Sequence, residues 1–286
     1  QRMLEATDLV VVTGSQDNVR RAYSSGTPAV GVGAGNVTVI VDETADLGAA
    51  AKKIAASKTF DNSTSCSSEN ALVIVDAIYD DFVAAMAAEG GATLDASMEQ
   101  HVLDRLWQRG HLARGALAQD ADKLLEVLEL TDQVSAGTKF VAVPTEGIGP
   151  EHKLSGEKLS LVVALYRARD YDHAQELAMR VLDHQGAGHS VGIHTDDDSR
   201  AMGLGLKAPT CRVIVNQAHG FANGGSFDNG LPFSLSMGCG SWGGNSIDEN
   251  LHWKHFLNIT KVVRPIPARE PSVDDIFADY WQAAGK

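Results

Sequence analysis

Thr59-Phe-Asp-Asn-Ser-Thr-Ser-Cys-Ser-Ser-Glu-Asn70 sets one thiol, Cys66, in a polar loop between two stretches that read as regular elements. Upstream, Ala45 to Lys58 has the alanine-rich, lysine-bearing pattern of a helix, and downstream Ala71-Leu-Val-Ile-Val75 predicts a short buried strand. Strands and helices continue to alternate past this point, which is the pattern of an α/β fold. A free cysteine is ordinarily buried and inert, so one among Asn, Ser and Thr side chains is unusual. On the residues alone, an incidental thiol and a nucleophile both stay open.

At 286 residues and 44% hydrophobic, the chain can bury a substantial core in one large domain or two. A net charge of −13 argues against a nucleic-acid or anionic-membrane partner, because phosphate binding needs clustered Lys and Arg. The 3 cysteines have neither a disulfide-framework nor a CxxC spacing, which fits a reducing cytoplasm. No run approaches the roughly 18–20 apolar residues of a membrane span, and no signal-peptide pattern opens the chain. No metal site is expected: His252 and His255 are three apart but need further ligands.

Before the Cys66 loop, Asp8 to Thr13 predicts a strand, Thr13-Gly14-Ser15 a turn and Asp17 to Ser24 a helix. That order aims backbone N–H groups at a phosphate, although a lone glycine turn is most often only a turn. Ala29 to Gly33 and Val37 to Asp42 read as strands around Ala34-Gly35-Asn36, where glycines admit a flat ring or another backbone, or simply make a bend. After the loop come a strand at 71–76, a helix at 79–89, helical segments across 97–128 and a strand near 139–143, with His101 and His111 read as surface or packing residues.

Glu157-Lys158 precedes the apolar strand Leu161 to Tyr166, and a surface ion pair is its plain reading. A helix at 171–185 ends at Gly186-Ala-Gly188, and His189 opens the alternating strand to Thr195. Cys211 to Asn216 is a further strand whose apolar neighbours predict an inert thiol. Gln217 to Asn245, rich in Gly, Asn and Ser, is long enough for a substrate-lining loop, and Phe221, Phe227, Phe233 and Trp242 predict that it packs. The tail reads as a strand at 256–263 and a helix at 273–282.

Five stretches, in order, resemble the CoA-acylating branch of the aldehyde dehydrogenase superfamily: Ala22 to Asn36, Asp42 to Asp46, Phe60-Asp61-Asn62 with Cys66 and Ser68-Glu69, Glu157 to Ser160, and Gly238-Cys-Gly-Ser-Trp-Gly-Gly-Asn-Ser246. The resemblance implies an aldehyde dehydrogenase-like α/β fold: residues 1–58 as the remainder of a Rossmann-like cofactor domain, 59–245 as an α/β catalytic domain, and 246–286 as a C-terminal return and oligomerisation segment. The chain opens at Gln1 rather than Met, and the family carries a further N-terminal portion, so a fragment, or a chain numbered from an internal residue, is expected. The choice between NAD and NADP is expected to lie in that portion.

The resemblance also implies roles. Cys66 becomes the nucleophile and His189 the histidine facing it, either holding the thiolate or deprotonating coenzyme A. Thr13, Gly14 and Ser15 lie beside the pyrophosphate of NAD or NADP; Gly31, Gly33 and Gly35 border the nicotinamide and thioester; Glu157 meets the nicotinamide ribose. Leu161 stands where related sequences usually have proline. Gly31 to Val41 contains no carboxylate, whereas hydrolytic relatives carry a glutamate there to activate water. A thiol ionises more readily than water and is the better nucleophile, so transfer to coenzyme A is expected. The stretch Asn216 to Met237 resembles acylating sulfoacetaldehyde dehydrogenases, with Asn62, Arg212, His219, Asn223, Gly224 and Gly225 as donors for a sulfonate, a carboxylate or the loop itself. A homo-oligomer is expected. The alternatives are a hydrolytic aldehyde dehydrogenase and a non-catalytic filament or scaffold subunit of the same fold.

Overall fold

The computed structural model describes residues 2–285. Its strands are β1 (Val10–Val12), β2 (Ala29–Gly31), β3 (Val37–Val41), β4 (Glu69–Val75), β5 (Gly91–Thr93), β6 (Trp107–Gln108), β7 (His111–Leu112), β8 (Phe140–Pro144), β9 (Val162–Ala168), β10 (Val191–His194) and β11 (Val213–Val215). β1 and β2 pair in parallel around the helix Gln16–Tyr23, so the predicted strand–turn–helix–strand unit is present. The Ser15 hydroxyl caps that helix by accepting the Asn18 N–H. β6 and β7 form a small antiparallel hairpin inside the stretch expected to be helical.

The other seven strands form one parallel sheet in the order β11-β10-β3-β4-β9-β8-β5. β3 and β4 are buried at every residue, which is why they read as continuous apolar runs rather than alternating ones. Ile40, Leu72, Val73 and Ile74 are fully enclosed, each contributing about 1.5–3 kcal/mol of apolar burial. The helix Leu47–Thr59 starts at Asp46, whose carboxylate accepts the Ala49 N–H at 2.9 Å, and it buries Ala50, Ala51, Ile54 and Ala55. That helix and Tyr79–Ala88 pack together and on β4, while Tyr171–His184 packs on β3, β4 and β9. β3 comes from the segment 1–58, so the part expected to belong to the cofactor side also supplies a central strand of the main sheet.

Parallel strands put all entering segments along one edge of the sheet. Asn36 enters β3, Ser68 enters β4, Leu161 enters β9 and Ser190 enters β10. Leu161 is buried, and its carbonyl accepts the Val141 N–H at 2.9 Å.

The chain divides into the units Gln1–His255 and Phe256–Lys286. In the second, residues 257–272 have no regular secondary structure and form no ladder among the described residues, so the strand expected at 256–263 is absent there. The reason is visible in exposure: Val262 and Val263 are 79% and 87% exposed, and no strand among the described residues pairs with them. The expected helix is present in two pieces, Val273–Ile276 and Ala278–Ala283.

Candidate active site

Two features fix the Cys66 loop. Asp61, Asn62 and Ser63 follow the helix with φ of 49°, 50° and 61°, a left-handed run that reverses the chain. The Thr64 hydroxyl ties it down by donating to the Asp61 carboxylate at 2.6 Å. On the far side, Gly35 lies so close that a Cβ there would meet the Cys66 carbonyl oxygen at 2.4 Å. This glycine is required by close approach, as expected.

Cys66 borders a cavity of about 670 Å³ lined by Thr13, Gly14, Ser15, Gly33, Gly35 and Glu157, among others. The chain therefore brings together six of the seven residues expected to hold a cofactor. Gly31 is the exception: a Cβ there would strike Val19 at 2.6 Å and the Tyr23 ring at 2.8 Å, so its glycine serves helix packing. The turn Thr13-Gly14-Ser15 at the start of Gln16–Tyr23 fits a pyrophosphate, since the first N–H groups of a helix have no internal acceptor.

His189 is buried with Nε2 3.2 Å from the Cys66 sulfur. Gly188 makes this placement possible, because its φ is +82° and a Cβ would lie 2.0 Å from the Cys239 carbonyl oxygen. The Arg212 guanidinium braces the turn by donating to the carbonyls of His189 at 2.9 Å and Gly238 at 2.7 Å. Burial, with Arg212 adding to it, holds the His189 imidazole down to about 3, so the ring is neutral. Burial, reinforced by the negative charge of Glu157 and by Cys239, pushes the Cys66 thiol up to about 11.

Glu157 reaches the cavity on a loop hung from three amides. Asn36 donates to the Ser155 carbonyl at 2.8 Å, Asn70 accepts the Lys158 N–H at 2.9 Å, and Gln185 accepts the Glu157 N–H at 3.1 Å. Burial raises this carboxyl to about 7, with Lys158 and Lys58 drawing it the other way. Both lysines are fully buried, and burial depresses them. Lys58 donates to the Glu69 carbonyl and Lys158 to those of Leu154 and Gly156. The plain sequence reading of Glu157-Lys158 as a surface pair is thus corrected.

The residues expected to supply sulfonate donors sit outside the cavity lining. Asn62 turns away to Asp120 at 2.8 Å, and Arg212 serves the His189 turn. His219 lies behind His189, and Asn223 donates to the Ser67 hydroxyl at 2.8 Å. Gly224 and Gly225 make backbone bonds to Ser234 and Ala222 within their own loop. Gly220, Leu235 and Met237 border the cavity instead. Of the aromatics expected to pack this loop, Phe221 packs on Phe60 at 4.7 Å, whereas Phe227 and Phe233 contact each other and face outward, and Asn and Ser hydrogen bonds also hold the loop.

Sequence reasoning missed Ser190, Asn36, Asn70 and the buried lysines. Polar residues at strand entrances were the available signal for the first three; nothing in the helical pattern marks Lys58 as buried. It also missed Glu249, whose carboxylate faces Nε2 of His255 at 3.2 Å and of His252 at 3.7 Å. His255 Nδ1 lies 3.0 Å from the His252 N–H and 3.1 Å from the His252 carbonyl oxygen.

Residues 3–103 match the aldehyde dehydrogenase family. A sulfoacetaldehyde dehydrogenase (acylating) of Cupriavidus necator is 49% identical over 99% of this chain and 58% of its own length. Another of the same name, from Bilophila wadsworthia, is 38% identical over 99% of this chain and 62% of its own. The chain thus spans about three-fifths of the length of these relatives. Among solved structures, an acetylating aldehyde dehydrogenase from Geobacillus thermoglucosidasius superposes with TM-score 0.86 at 32% identity, covering 93% of this chain and 60% of that one. A probable aldehyde dehydrogenase from Listeria monocytogenes gives 0.88 at 30% identity, covering 96% and 60%. Family match, relatives and superposed folds agree with the ordered motifs around Cys66: the chain belongs to the aldehyde dehydrogenase family.

Proposed function

We propose that the protein oxidises an aldehyde to an acyl-CoA through a thioester on Cys66, using NAD or NADP and coenzyme A. The observation that carries this is the Cys66 sulfur 3.2 Å from His189, on a cavity whose Gly33–Gly35 wall bears no carboxylate. The sulfur, having lost its proton, bonds to the aldehyde carbon, and the aldehyde oxygen takes the negative charge, which backbone N–H donors at the site would stabilise. A bound oxidised nicotinamide supplies the hydride acceptor. Gly33 and Gly35 border that cavity and let Cys239 and the Cys66 loop pack closely against this wall, and His189 is the polar partner of the sulfur. Attack of a coenzyme A thiol on the thioester frees Cys66. Mass spectrometry after incubation with aldehyde and oxidised cofactor tests this: an acyl adduct on Cys66 that coenzyme A removes supports it, and no adduct refutes it.

Glu157 favours a second reading. A carboxyl near 7 on the same cavity suits a general base for water, which would make the enzyme hydrolytic. The relatives named acylating at 49% and 38% identity support the first. Turnover with coenzyme A omitted separates the two, and only the hydrolytic enzyme continues.

The same relatives support sulfoacetaldehyde as the aldehyde. The Ser65 hydroxyl, which accepts the Ser67 N–H and keeps its own proton free to donate, and the Thr13 hydroxyl border the cavity. Equal rates on sulfoacetaldehyde, acetaldehyde and succinic semialdehyde would remove the sulfonate preference. The exposed apolar residues of 256–266 support association with a second copy through this segment. The free thiols support a reducing compartment, the cytoplasm, and no helix among the described residues is long and apolar enough to cross a membrane.

A further inference from the structure

Behind the sulfur, buried polar groups stand in line. Cys66 Sγ is 3.2 Å from His189 Nε2, His189 Nδ1 is 2.8 Å from the Ser190 hydroxyl, and that hydroxyl is 2.9 Å from His219 Nε2. His189, Ser190 and His219 are all at most 1% exposed. Gly192 makes room for the last of them: a Cβ there would lie 2.9 Å from His219 Nδ1. The turn carrying His219 is anchored from beneath, where Ser57 accepts the Gly220 N–H and donates to the Glu69 carboxylate, each at 2.7 Å.

A neutral imidazole has one N–H and one lone pair, so this line has two directions in which the Ser190 hydroxyl both accepts and donates; a third arrangement, with Ser190 accepting from both rings, strands the Ser190 proton, which has no other partner among the described residues. In the first, His189 carries its proton on Nδ1 and donates to Ser190, Ser190 donates to His219 Nε2, and the His219 proton sits on Nδ1. In the second, His219 Nε2–H donates to Ser190, Ser190 donates to His189 Nδ1, and His189 keeps its N–H on Nε2, facing the sulfur. His219 Nδ1 decides between them. It is buried against Gly192 and has no hydrogen-bond partner among the described residues. The first direction leaves an N–H donor stranded there; the second leaves only a lone pair. A buried donor without an acceptor is the rarer and costlier of the two. Burial keeps both rings uncharged, so neither direction is bypassed by a doubly protonated ring.

We propose that Ser190 and His219 are positioning residues that hold His189 in the tautomer whose Nε2–H donates to the Cys66 sulfur. This deepens the reading of Cys66 as nucleophile and takes its meaning from it. His189 then stabilises the thiolate, because a hydrogen bond to a charged acceptor is about twice as strong as one to a neutral acceptor. It is not the base that removes a proton from Cys66 or from an incoming thiol, since Nε2 already carries hydrogen. The Cys66 proton leaves to solvent on the cavity side. Of the two roles that the resemblance leaves open for His189, the line selects the first.

Nitrogen-15 NMR of the His189 ring in the free protein reads the tautomer directly, and it needs no turnover. If the acyl-transfer reading fails, this test still stands on its own. The wild-type protein is expected to carry the proton on Nε2, as is Ser190→Thr, which keeps the hydroxyl. In His219→Phe the ring volume remains but the donor is lost, Ser190 can then accept as well as donate, and both tautomers are expected. Alkylation of Cys66 by iodoacetamide should slow about two- to fivefold in His219→Phe, as the population with Nε2–H falls. A wild-type His189 with its proton on Nδ1 overturns the proposal, even if His219→Phe fails to fold. A tautomer and alkylation rate unchanged in a folded His219→Phe also overturn it.

Discussion

The two edges of the seven-stranded sheet treat charge in opposite ways. Where strands end, charges are paired and mostly wet: Arg200 joins Asp42 at 2.9 Å and Glu43 at 2.6 Å, and Arg167 joins Asp76 and Asp80. A cavity of about 730 Å³ there, between Glu99, Glu146, His152, Arg167 and Arg180, is larger than the one at Cys66 and contains no thiol. Where strands begin, His189, Lys58 and Lys158 are dehydrated, Cys66 and Glu157 are half-buried at the cavity, and burial displaces each of the five from its ordinary titration. Ligands of open parallel sheets commonly bind beyond the carboxyl ends of the strands. The chemistry proposed for Cys66 lies at the opposite edge. Dehydration marks the site, and neither cavity size nor the usual strand end does.

Substitutions at the two edges should therefore differ in kind. The largest effect is expected for Cys66→Ala, with acyl-CoA formation falling by more than about a thousandfold and the melting temperature nearly unchanged. Acyl-CoA formation at wild-type rate in that variant would remove the site from this edge. Next, Gly35→Ala pushes a methyl group into the Cys66 carbonyl, and displacing a nucleophile by about 1 Å costs on the order of a hundredfold in rate. Steady-state kinetics beside a thermal melt would separate this from unfolding.

At the opposite edge, Arg200→Ala should cost stability and leave chemistry alone. Burial tends to raise the Asp42 carboxyl, but hydrogen bonds from Thr195, Thr44 and Arg200 outweigh it and hold the group below 3.8. A depressed carboxyl contributes stability above its unfolded value and loses it as pH falls through the folded one. The loss on Arg200→Ala, about 2–3 kcal/mol near neutrality, should shrink toward zero as pH drops below 3.8 in denaturant titrations. Glu157→Gln is expected to be milder and of opposite sign. A carboxyl raised from 4.5 to about 7 favours folding below 4.5, and that contribution disappears as pH climbs through 7; the variant should lack this decline. Loss of its negative charge should also lower the thiol and speed Cys66 alkylation severalfold at mildly alkaline pH. Arg167→Ala, which breaks an exposed pair, should leave the melting temperature nearly unchanged.

Much of the thiol edge was legible in the sequence because strand entrances are marked by abrupt changes from polar to apolar. Cys66, His189 and the turn Thr13-Gly14-Ser15 stand at such changes, and the structure gathers them on one cavity or beside it. His219 as the partner of Ser190 was not legible, because it is 29 residues away and only the pairing of β10 with β11 returns the chain to that point. Periodicity carries no record of such a return. The tail was misread for a related reason: Phe256 to Val263 has a strand's composition, but a strand also needs a neighbour, and composition does not supply one. Phe227 and Phe233 misled through hydrophobicity alone; they stack on each other at 5.1 Å and face outward.

The high thiol at Cys66 bears on survival under oxidative stress. Peroxide reacts with thiolate, and a sulfur held at about 11 is almost entirely protonated in a neutral cell. The resting protein should therefore endure peroxide that would convert a more acidic cysteine to sulfenic or sulfinic acid. Its vulnerable moments would be confined to those when the sulfur is ionised for work.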